Sequence, residues 1–379
     1  MTKIMFSAGE ASGDLHASAV AEEIRRLCPE AEMFGMGGAG MARAGVKILY
    51  DIKDLGIIGL VEVIRHLPRF WRLRRFLTET MEEEKPDVLV CVDYPGFNMK
   101  LAREAKKRDI PVVYYIAPTI WAWHRSRAKD IARDVSMVAS IFPFEAEAYK
   151  KAGAPVTFVG NPLADTVHPS MTQKEAMDYF GADPAARRIL LMPGSRLNEV
   201  RGLLPDMLEA GKILSEHFPC QFFLPRAETI DRELLEKMIS ESGLPVILTS
   251  DRTYDLMGIC CAAAASSGTA TLETALMKLP TVLVYRLASL TWWAAQRLVH
   301  VKYAGLPNLL VNREVTPELL QEKATSRGIA EHLSRWLEDE QCRQENIREL
   351  EEVRTAMGSG GAVHRTAALI LATAEGTGA

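Results

Sequence analysis

The sequence predicts an α/β protein built as two parallel-sheet halves, and three observations point there. Apolar runs short enough for strands alternate with stretches of helical periodicity almost from end to end. A chain of 379 residues is long enough for two domains, each with its own core. Residues 259–286, ICCAAAASSGTATLETALMKLPTVLVYR, read as a complete strand–helix–strand unit, and such a connection implies parallel strands.

Within that unit, residues 259–265 are small, apolar and uncharged, the pattern of a buried strand, and Ser266, Ser267 and Gly268 break the run. Thr269 or Thr271 then caps a helix carrying Leu272, Ala275, Leu276 and Leu279 at helical spacing, and Pro280 stops it before a second apolar strand. Free backbone N–H groups and the helix dipole at the Ser266–Thr269 corner favour an anion such as a diphosphate. Glu273, one turn into the helix, is placed to accept hydrogen bonds from ribose hydroxyls beside it. The plainer reading is an ordinary turn followed by an exposed glutamate.

From the start of the chain, residues 4–8 form a strand, GEASGD at 9–14 a loop, and 17–27 a helix ending at Pro29. The loop lacks G-x-G-x-x-G and carries Glu10 and Asp14, two charges that repel a diphosphate. It therefore faces sugar hydroxyls or a proton-transfer step, unless Ser12 and Asp14 merely cap the helix. Residues 33–38 and 47–50 are the next strands. Between Glu62 and Glu79 stand Arg65, Arg69, Arg72, Arg74 and Arg75 with no acid, interleaved with Phe70, Trp71, Leu73, Phe76 and Leu77. Together with Ile57 and Ile58 they describe a helix over 57–77 lying in an anionic bilayer surface. The usual alternative is a solvated arginine face above a packed helix.

Residues 88–92 are a continuous apolar strand ending in Asp93, and YPGFN follows, closing with Asn98. A carboxylate at the carboxyl end of a buried parallel strand stands where open α/β sheets bind ligands, which makes Asp93 the first catalytic candidate. Capping the helix over 99–108 is its plainer role. After the strand 111–116, Trp121 and Trp123 lie just past a strand end, placed to line an apolar groove. A strand at 136–142, a helix at 145–152 and a strand at 156–159 complete the first half, and the polar, proline-broken stretch 160–170 reads as a hinge.

The second half restarts with a strand at 188–192, the corner Pro193-Gly194-Ser195-Arg196 and a helix over 199–217. Arg196, just after a glycine at a strand-to-helix corner, is positioned to grip a diphosphate bidentately, the plainer reading being a surface arginine. Strands at 221–224 and 246–249 join the unit described first. The tail over 335–372 reads as charged amphipathic helices.

Composition narrows the function further. A net charge of −4 argues against nucleic-acid binding, and the six cysteines show no C-x-x-C spacing, as expected of reduced core residues in a cytosolic protein. No signal peptide is expected, and no apolar run of about eighteen residues is present to span a membrane. The eight histidines form no H-x-x-x-H pair and no D-x-D occurs, so neither a catalytic metal nor a cofactor is expected.

The strings SAGEASGD, LGIIGLVEV, KPDVLVCVDYPGFN, YYIAPTIWAW, FPFE, LMPGSR, SSGTATLE, VKYAGLPNLL and PELLQE, taken in order, resemble the lipid-A-disaccharide synthase family over nearly the whole chain. The resemblance implies a GT-B fold: two Rossmann-like parallel-sheet domains facing a cleft, 1–165 for the acceptor and 166–349 for the UDP-sugar donor, with a last helix, about 350–379, crossing back to the first. It implies an inverting transfer of 2,3-diacylglucosamine from UDP to the 6-hydroxyl of 2,3-diacylglucosamine 1-phosphate, giving a β-1,6 disaccharide 1-phosphate at the cytoplasmic face of the membrane, with a homodimer as a possible assembly. Asp93 then resembles the general base, with Glu10 as the other catalytic candidate. Ser12, Asp14, Asn98 and Trp121 resemble acceptor-side residues. Gly194, Ser195, Arg196, Ser266, Ser267, Gly268, Thr269 and Glu273 resemble the UDP site, to which Asn308 and Gln321 are joined without a derived role. Ile57, Ile58, Arg69, Phe70, Trp71, Arg72, Arg74 and Arg75 are the expected membrane contacts.

Two positions depart from the family pattern: Gly96 stands where a second acid is common and Asn161 where histidine is, which puts an auxiliary carboxylate or imidazole in doubt. A UDP-N-acetylglucosamine 2-epimerase shares the fold but acts on a small soluble sugar and has no use for the arginine-aromatic helix. A non-catalytic nucleotide-sugar binder is the third reading, and it predicts no turnover.

Overall fold

The computed structural model describes residues 1–55, 60–120, 125–286 and 302–377, and for 54, 55, 60–67, 125 and 126 the backbone alone. The chain forms two compact α/β units, Met1–Pro162 with Ser359–Ala379, and Leu163–Gly358.

The first unit holds β1 (Lys3–Ala8), β2 (Glu32–Gly37), β3 (Lys47–Asp51), β4 (Val88–Val92), β5 (Val112–Tyr115), β6 (Met137–Ser140) and β7 (Val156–Phe158). They pair in parallel in the order β3-β2-β1-β4-β5-β6-β7. Alternation along the strands divides the apolar side chains between two cores. Ile4, Phe6, Val88 and Val90 pack with Val20 and Ile24 of α1 (Ala11–Leu27) and with Ala367 and Ile370 of the last helix, Ala362–Ala374. Met5, Leu89 and Cys91 face the other way, against Leu73 and Leu77 of α3 (Leu60–Glu84) and Leu101 of α4 (Pro95–Lys106). The short α2 (Ala39–Arg43) follows β2, and α5 (Arg125–Asp134) and α6 (Pro143–Lys151) precede and follow β6. Strand order reverses between β1 and β4, so the loops leaving those two strands diverge to opposite faces and open a crevice at their carboxyl ends.

The second unit repeats the design with β8 (Arg187–Met192), β9 (Cys220–Pro225), β10 (Val246–Thr249), β11 (Ala262–Ser266), β12 (Thr281–Tyr285) and β13 (Glu318–Leu320). These are again parallel, in the order β10-β9-β8-β11-β12-β13. Its helices include α7 (Leu163–Thr166), α8 (Gln173–Tyr179), α9 (Leu197–Ser215), α10 (Arg232–Ser242), α11 (Thr253–Ile259) and α12 (Thr269–Leu276). Val200, Leu204 and Leu208 of α9 cover Ile189 and Leu191 on one face. Leu256 and Met257 of α11 cover Leu190 and Ala263 on the other. Here the order reverses between β8 and β11.

Two local expectations are corrected. Ile259 ends α11 instead of opening a strand, because it shares the buried face of Leu256 and Met257, and β11 starts only at Ala262. Neither Thr269 nor Thr271 caps α12: Gly268 holds the N-cap position, and the Thr271 hydroxyl donates to the Gly268 carbonyl at 2.9 Å. Among the described residues no helix is long and apolar enough to cross a membrane.

Candidate active site

In the first unit the β1 and β4 loops meet at the switch point. β4 is buried along its whole length and ends in Asp93, whose backbone, like that of Tyr94, is left-handed at φ +49° and +51°. Non-glycine residues adopt that conformation only where the surroundings hold them. Here the Asp93 N–H donates to the Tyr115 carbonyl at 3.1 Å. Its own carbonyl accepts from Asn98 Nδ2 at 2.8 Å and from the Tyr114 hydroxyl at 2.9 Å. The half-buried carboxyl is thereby fixed at the strand end. Burial raises its pKa above the ordinary aspartate value, while the Tyr94 N–H and the charge of His16 pull the other way.

Asn98, expected on the acceptor side, is built into the fold beneath Asp93. It is fully buried, its Oδ1 accepts from the Ser7 hydroxyl at 2.6 Å, and its Nδ2 also reaches the Ser7 and Val92 carbonyls at 3.0 and 3.2 Å. Both amide hydrogens are thus spent on main-chain carbonyls.

The β1 loop divides in the same way. Glu10 occupies the exposed N-cap position of α1 without a side-chain capping bond, and its charge, after burial, helps raise the Tyr94 hydroxyl. Ser12 is exposed in the first turn. Asp14 is buried and caps α2 in place of its own helix, accepting from the backbone N–H of Gly38 at 2.7 Å, Gly40 at 2.8 Å and Met41 at 3.1 Å. Its role is to clamp α1 to the β2–α2 corner. Gly9 is required by close approach, since a Cβ there would lie 2.1 Å from the Tyr94 ring. His16 was missed from sequence. It stands edge-on to the Tyr115 ring, centroids 6.4 Å apart, with its pKa lowered by burial against the opposing charge of Asp93. At Gly96 the space is open and exposed, so the missing acid leaves only solvent. Asn161 is buried. Trp121 lies outside the described residues.

At the switch point of the second unit, β8 leads through Gly194, at φ +109°, and Ser195 to Arg196, the N-cap residue of α9. A Cβ at Gly194 would meet Glu199 Oε2 at 2.3 Å, so only glycine permits this corner. Arg196 is exposed, and its guanidinium rests on Glu199 Oε1 at 2.9 Å while its backbone N–H donates to Oε2 at 3.3 Å. Across the switch, β11 ends at the buried Ser266, and Ser267 and Gly268 lead into α12 at Thr269. Two helix N-termini thus converge on the carboxyl ends of β8 and β11, an arrangement that favours a phosphate. Glu273 is largely buried on α12 and accepts from the Tyr254 hydroxyl at 3.0 Å. Burial raises its pKa and the tyrosine donor opposes that rise.

Asn308 is likewise built into the fold. It is fully buried, with Nδ2 donating to the Thr316 carbonyl and to Glu318 Oε1, both at 2.7 Å, and Oδ1 accepting from the N–H groups of Val315 and Thr316 at 2.7 and 2.9 Å. It holds the turn into β13. Gln321 follows β13 with φ +54°, at the same edge as Ser266.

Of the expected membrane residues, Arg69 is engaged, its Nε donating to the Tyr50 hydroxyl at 3.2 Å. Phe70 packs against Phe97, centroids 6.4 Å apart, and so belongs to the core, because the helix turns that face inward with Leu73 and Leu77. Trp71, 57% exposed, and Phe76, 42% exposed, lie on the outer face with Arg72 and Arg75, Arg75 pairing with Glu79 at 2.7 Å. Arg74 is half-buried. Ile57 and Ile58 lie outside the described residues.

Comparison with known proteins follows this geometry. A family model described as lipid-A-disaccharide synthetase matches residues 4–371. The chain is 42% identical to the lipid-A-disaccharide synthase of Geobacter metallireducens and 40% identical to that of Myxococcus xanthus. Each match runs over 370 residues, 97% of this chain, and covers 96% and 97% of the respective relative. Among solved structures, UDP-GlcNAc 2-epimerase from Neisseria meningitidis bound to UDP-GlcNAc is similar with a TM-score of 0.66 at 13% identity, over 98% of this chain and 100% of that one. CalG4, the calicheamicin glycosyltransferase, is similar with a TM-score of 0.62 at 16% identity, over 98% of each chain. These two likenesses show the GT-B type of fold.

Proposed function

The chain belongs to the lipid-A-disaccharide synthase family, and from that premise we propose how its residues carry the reaction. The enzyme joins UDP-2,3-diacylglucosamine to 2,3-diacylglucosamine 1-phosphate, forming the β-1,6 disaccharide 1-phosphate and releasing UDP. An α-linked donor that yields a β product is inverted in one displacement, which calls for one base and no covalent intermediate.

Asp93 is the base. It takes the proton of the acceptor 6-hydroxyl as that oxygen attacks the anomeric carbon, and the bond to the UDP oxygen breaks. The observation that carries this reading is the half-buried carboxylate fixed at the switch point of the first sheet by Asn98 and Tyr114. Its raised pKa brings its basicity nearer to neutral pH, where a general base works best. Glu10 and Ser12, exposed on the facing loop, bind acceptor hydroxyls.

UDP is held in the second unit. The N-termini of α9 and α12, with Gly194, Ser195, Ser266, Ser267, Gly268 and Thr269, receive the diphosphate, and Arg196 leaves Glu199 to offset the charge that develops on the departing oxygen. Glu273 accepts from the ribose. The face of Trp71, Arg72, Arg75 and Phe76 rests reversibly on an anionic membrane surface, where diacylated substrates reside.

The epimerase alternative is supported by fold likeness at 13% identity alone. Incubating purified protein with the two diacylated substrates and analysing the products by mass spectrometry tests the assignment. A disaccharide 1-phosphate with stoichiometric UDP is expected. UDP release without a coupled acceptor, or epimerised UDP-sugar, would overturn it.

A further inference from the structure

α11 is a short helix with an unusually firm seat. Its buried face, Leu256, Met257 and Ile259, packs with Leu190, Phe223 and Ala263 of the sheet. Asp255, almost fully buried, accepts from the backbone N–H of Ser170 at 2.6 Å and of Met171 at 2.7 Å, and from the Ser170 hydroxyl at 2.8 Å. These bonds fix the rotation of α11 about its axis. One residue earlier, Tyr254 packs its ring against the same apolar cluster and extends its hydroxyl to Glu273 Oε1 on α12 at 3.0 Å.

This contact is costly to arrange, and so it calls for a reason. Burial raises the pKa of Glu273, and burial together with the facing carboxylate drives that of Tyr254 well above its ordinary value. Tyr254 therefore keeps its proton, and the donated bond runs only from tyrosine to glutamate. Among the described residues no other donor reaches this carboxylate. One lone pair of Oε1 is thus engaged, leaving the second lone pair of Oε1 and both of Oε2 directed elsewhere. That remainder suits a pair of adjacent hydroxyls, such as the 2′ and 3′ hydroxyls of a ribose, each donating to one oxygen.

We infer that Tyr254 is a positioning residue for nucleotide specificity: its hydroxyl sets the plane of the Glu273 carboxylate so that both of its oxygens meet the ribose diol. The inference rests on the reading of Glu273 as the ribose acceptor. A freely rotating carboxylate would still accept one hydroxyl, but it would have to give up rotamer freedom on binding and would meet the diol less well. The consequence falls on discrimination between ribose and deoxyribose, and the diphosphate contacts are left as they are.

The test is calorimetric titration of wild type, Tyr254→Phe and Glu273→Gln with UDP and with 2′,3′-dideoxy-UDP. Wild type should prefer UDP by about ten- to a hundredfold, the scale of hydrogen bonds to a charged group. Tyr254→Phe keeps the ring and its packing, so dideoxy-UDP should bind as to wild type while the preference for UDP falls by about tenfold. An unchanged preference in Tyr254→Phe with a lost preference in Glu273→Gln would overturn the role of Tyr254 alone. An unchanged preference in both variants would remove the ribose assignment of Glu273 as well. Equal weakening of both nucleotides in Tyr254→Phe would make Tyr254 a structural residue and overturn the inference.

Discussion

The side-chain amide of Asn98 donates to the main-chain carbonyl of Asp93 at 2.8 Å, so a fully buried residue on α4 holds in place the backbone of a half-buried carboxylate just past β4. The polar residue that faces the crevice and the one that anchors it are thus different residues, and substituting each should have a different effect.

Asp93→Asn preserves shape and removes the base. Turnover should fall by about 10²–10⁴-fold, with UDP affinity unchanged, because the proposed diphosphate site lies in the second unit. Burial raises the Asp93 pKa, so the deprotonated base is lost as pH falls through a value above the ordinary aspartate range. The acid limb of kcat/KM in wild type should lie there accordingly. Steady-state kinetics across pH, beside UDP titration, check both statements, and near-normal turnover in the variant would move the base to Glu10.

Asn98→Ala removes the amide that satisfies the Ser7 hydroxyl and three carbonyls. A loss of about 2–4 kcal/mol in stability is expected, the scale of stranding several buried polar groups. Thermal unfolding measures this, and a variant as stable as wild type would mean that water replaces the amide.

Arg196→Ala should weaken UDP by about ten- to a hundredfold, as expected for a charge-assisted contact to a diphosphate. In wild type the guanidinium must first exchange its Glu199 partner, so Glu199→Gln, which keeps the N-cap hydrogen bond without the charge, should bind UDP at least as tightly. Undiminished affinity in Arg196→Ala would place the diphosphate elsewhere.

Replacing Trp71, Arg72 and Phe76 together by serine should reduce sedimentation with anionic vesicles. Each arginine contributes about 1 kcal/mol near such a surface, less as salt rises. Equal sedimentation of variant and wild type would show an ordinary solvated face.

The strands were legible because parallel sheets bury both faces, and a run such as Val88–Val92 has no polar residue to confuse the pattern. The strand-end corners were legible for the same reason, since Asp93 follows its apolar run directly and Arg196 and Gly268 come within four residues of theirs. Long-range partnership left no such mark. Asn98 and Asn308 each follow a proline near the start of a short helix, where a polar side chain reads as surface, and only the fold shows them buried and bonded to their neighbours. Asp14 reads as an acceptor-side residue or a cap for its own helix, yet the helix it caps lies 25 residues further on, starting at Ala39. The significance of His16 and Tyr254 depends on neighbours that are distant in sequence, Tyr115 and Glu273. Phe70 could not be told from Trp71 until the phase of α3 was known.

The helix Ala362–Ala374 seats Ala367 and Ile370 in the same core as Val20 and Ile24, some 340 residues upstream. Synthesis must therefore run through the helix Ala362–Ala374 before the amino-terminal half can close. Leu163–Gly358 is contiguous and has its partners to hand as soon as it emerges. Order of synthesis and order of completion are then reversed: the half that is born first finishes last, its apolar surface meanwhile open to chaperones. A nonsense codon falling between Gly358 and Ala362 would spare the later half and leave the earlier one permanently unfinished.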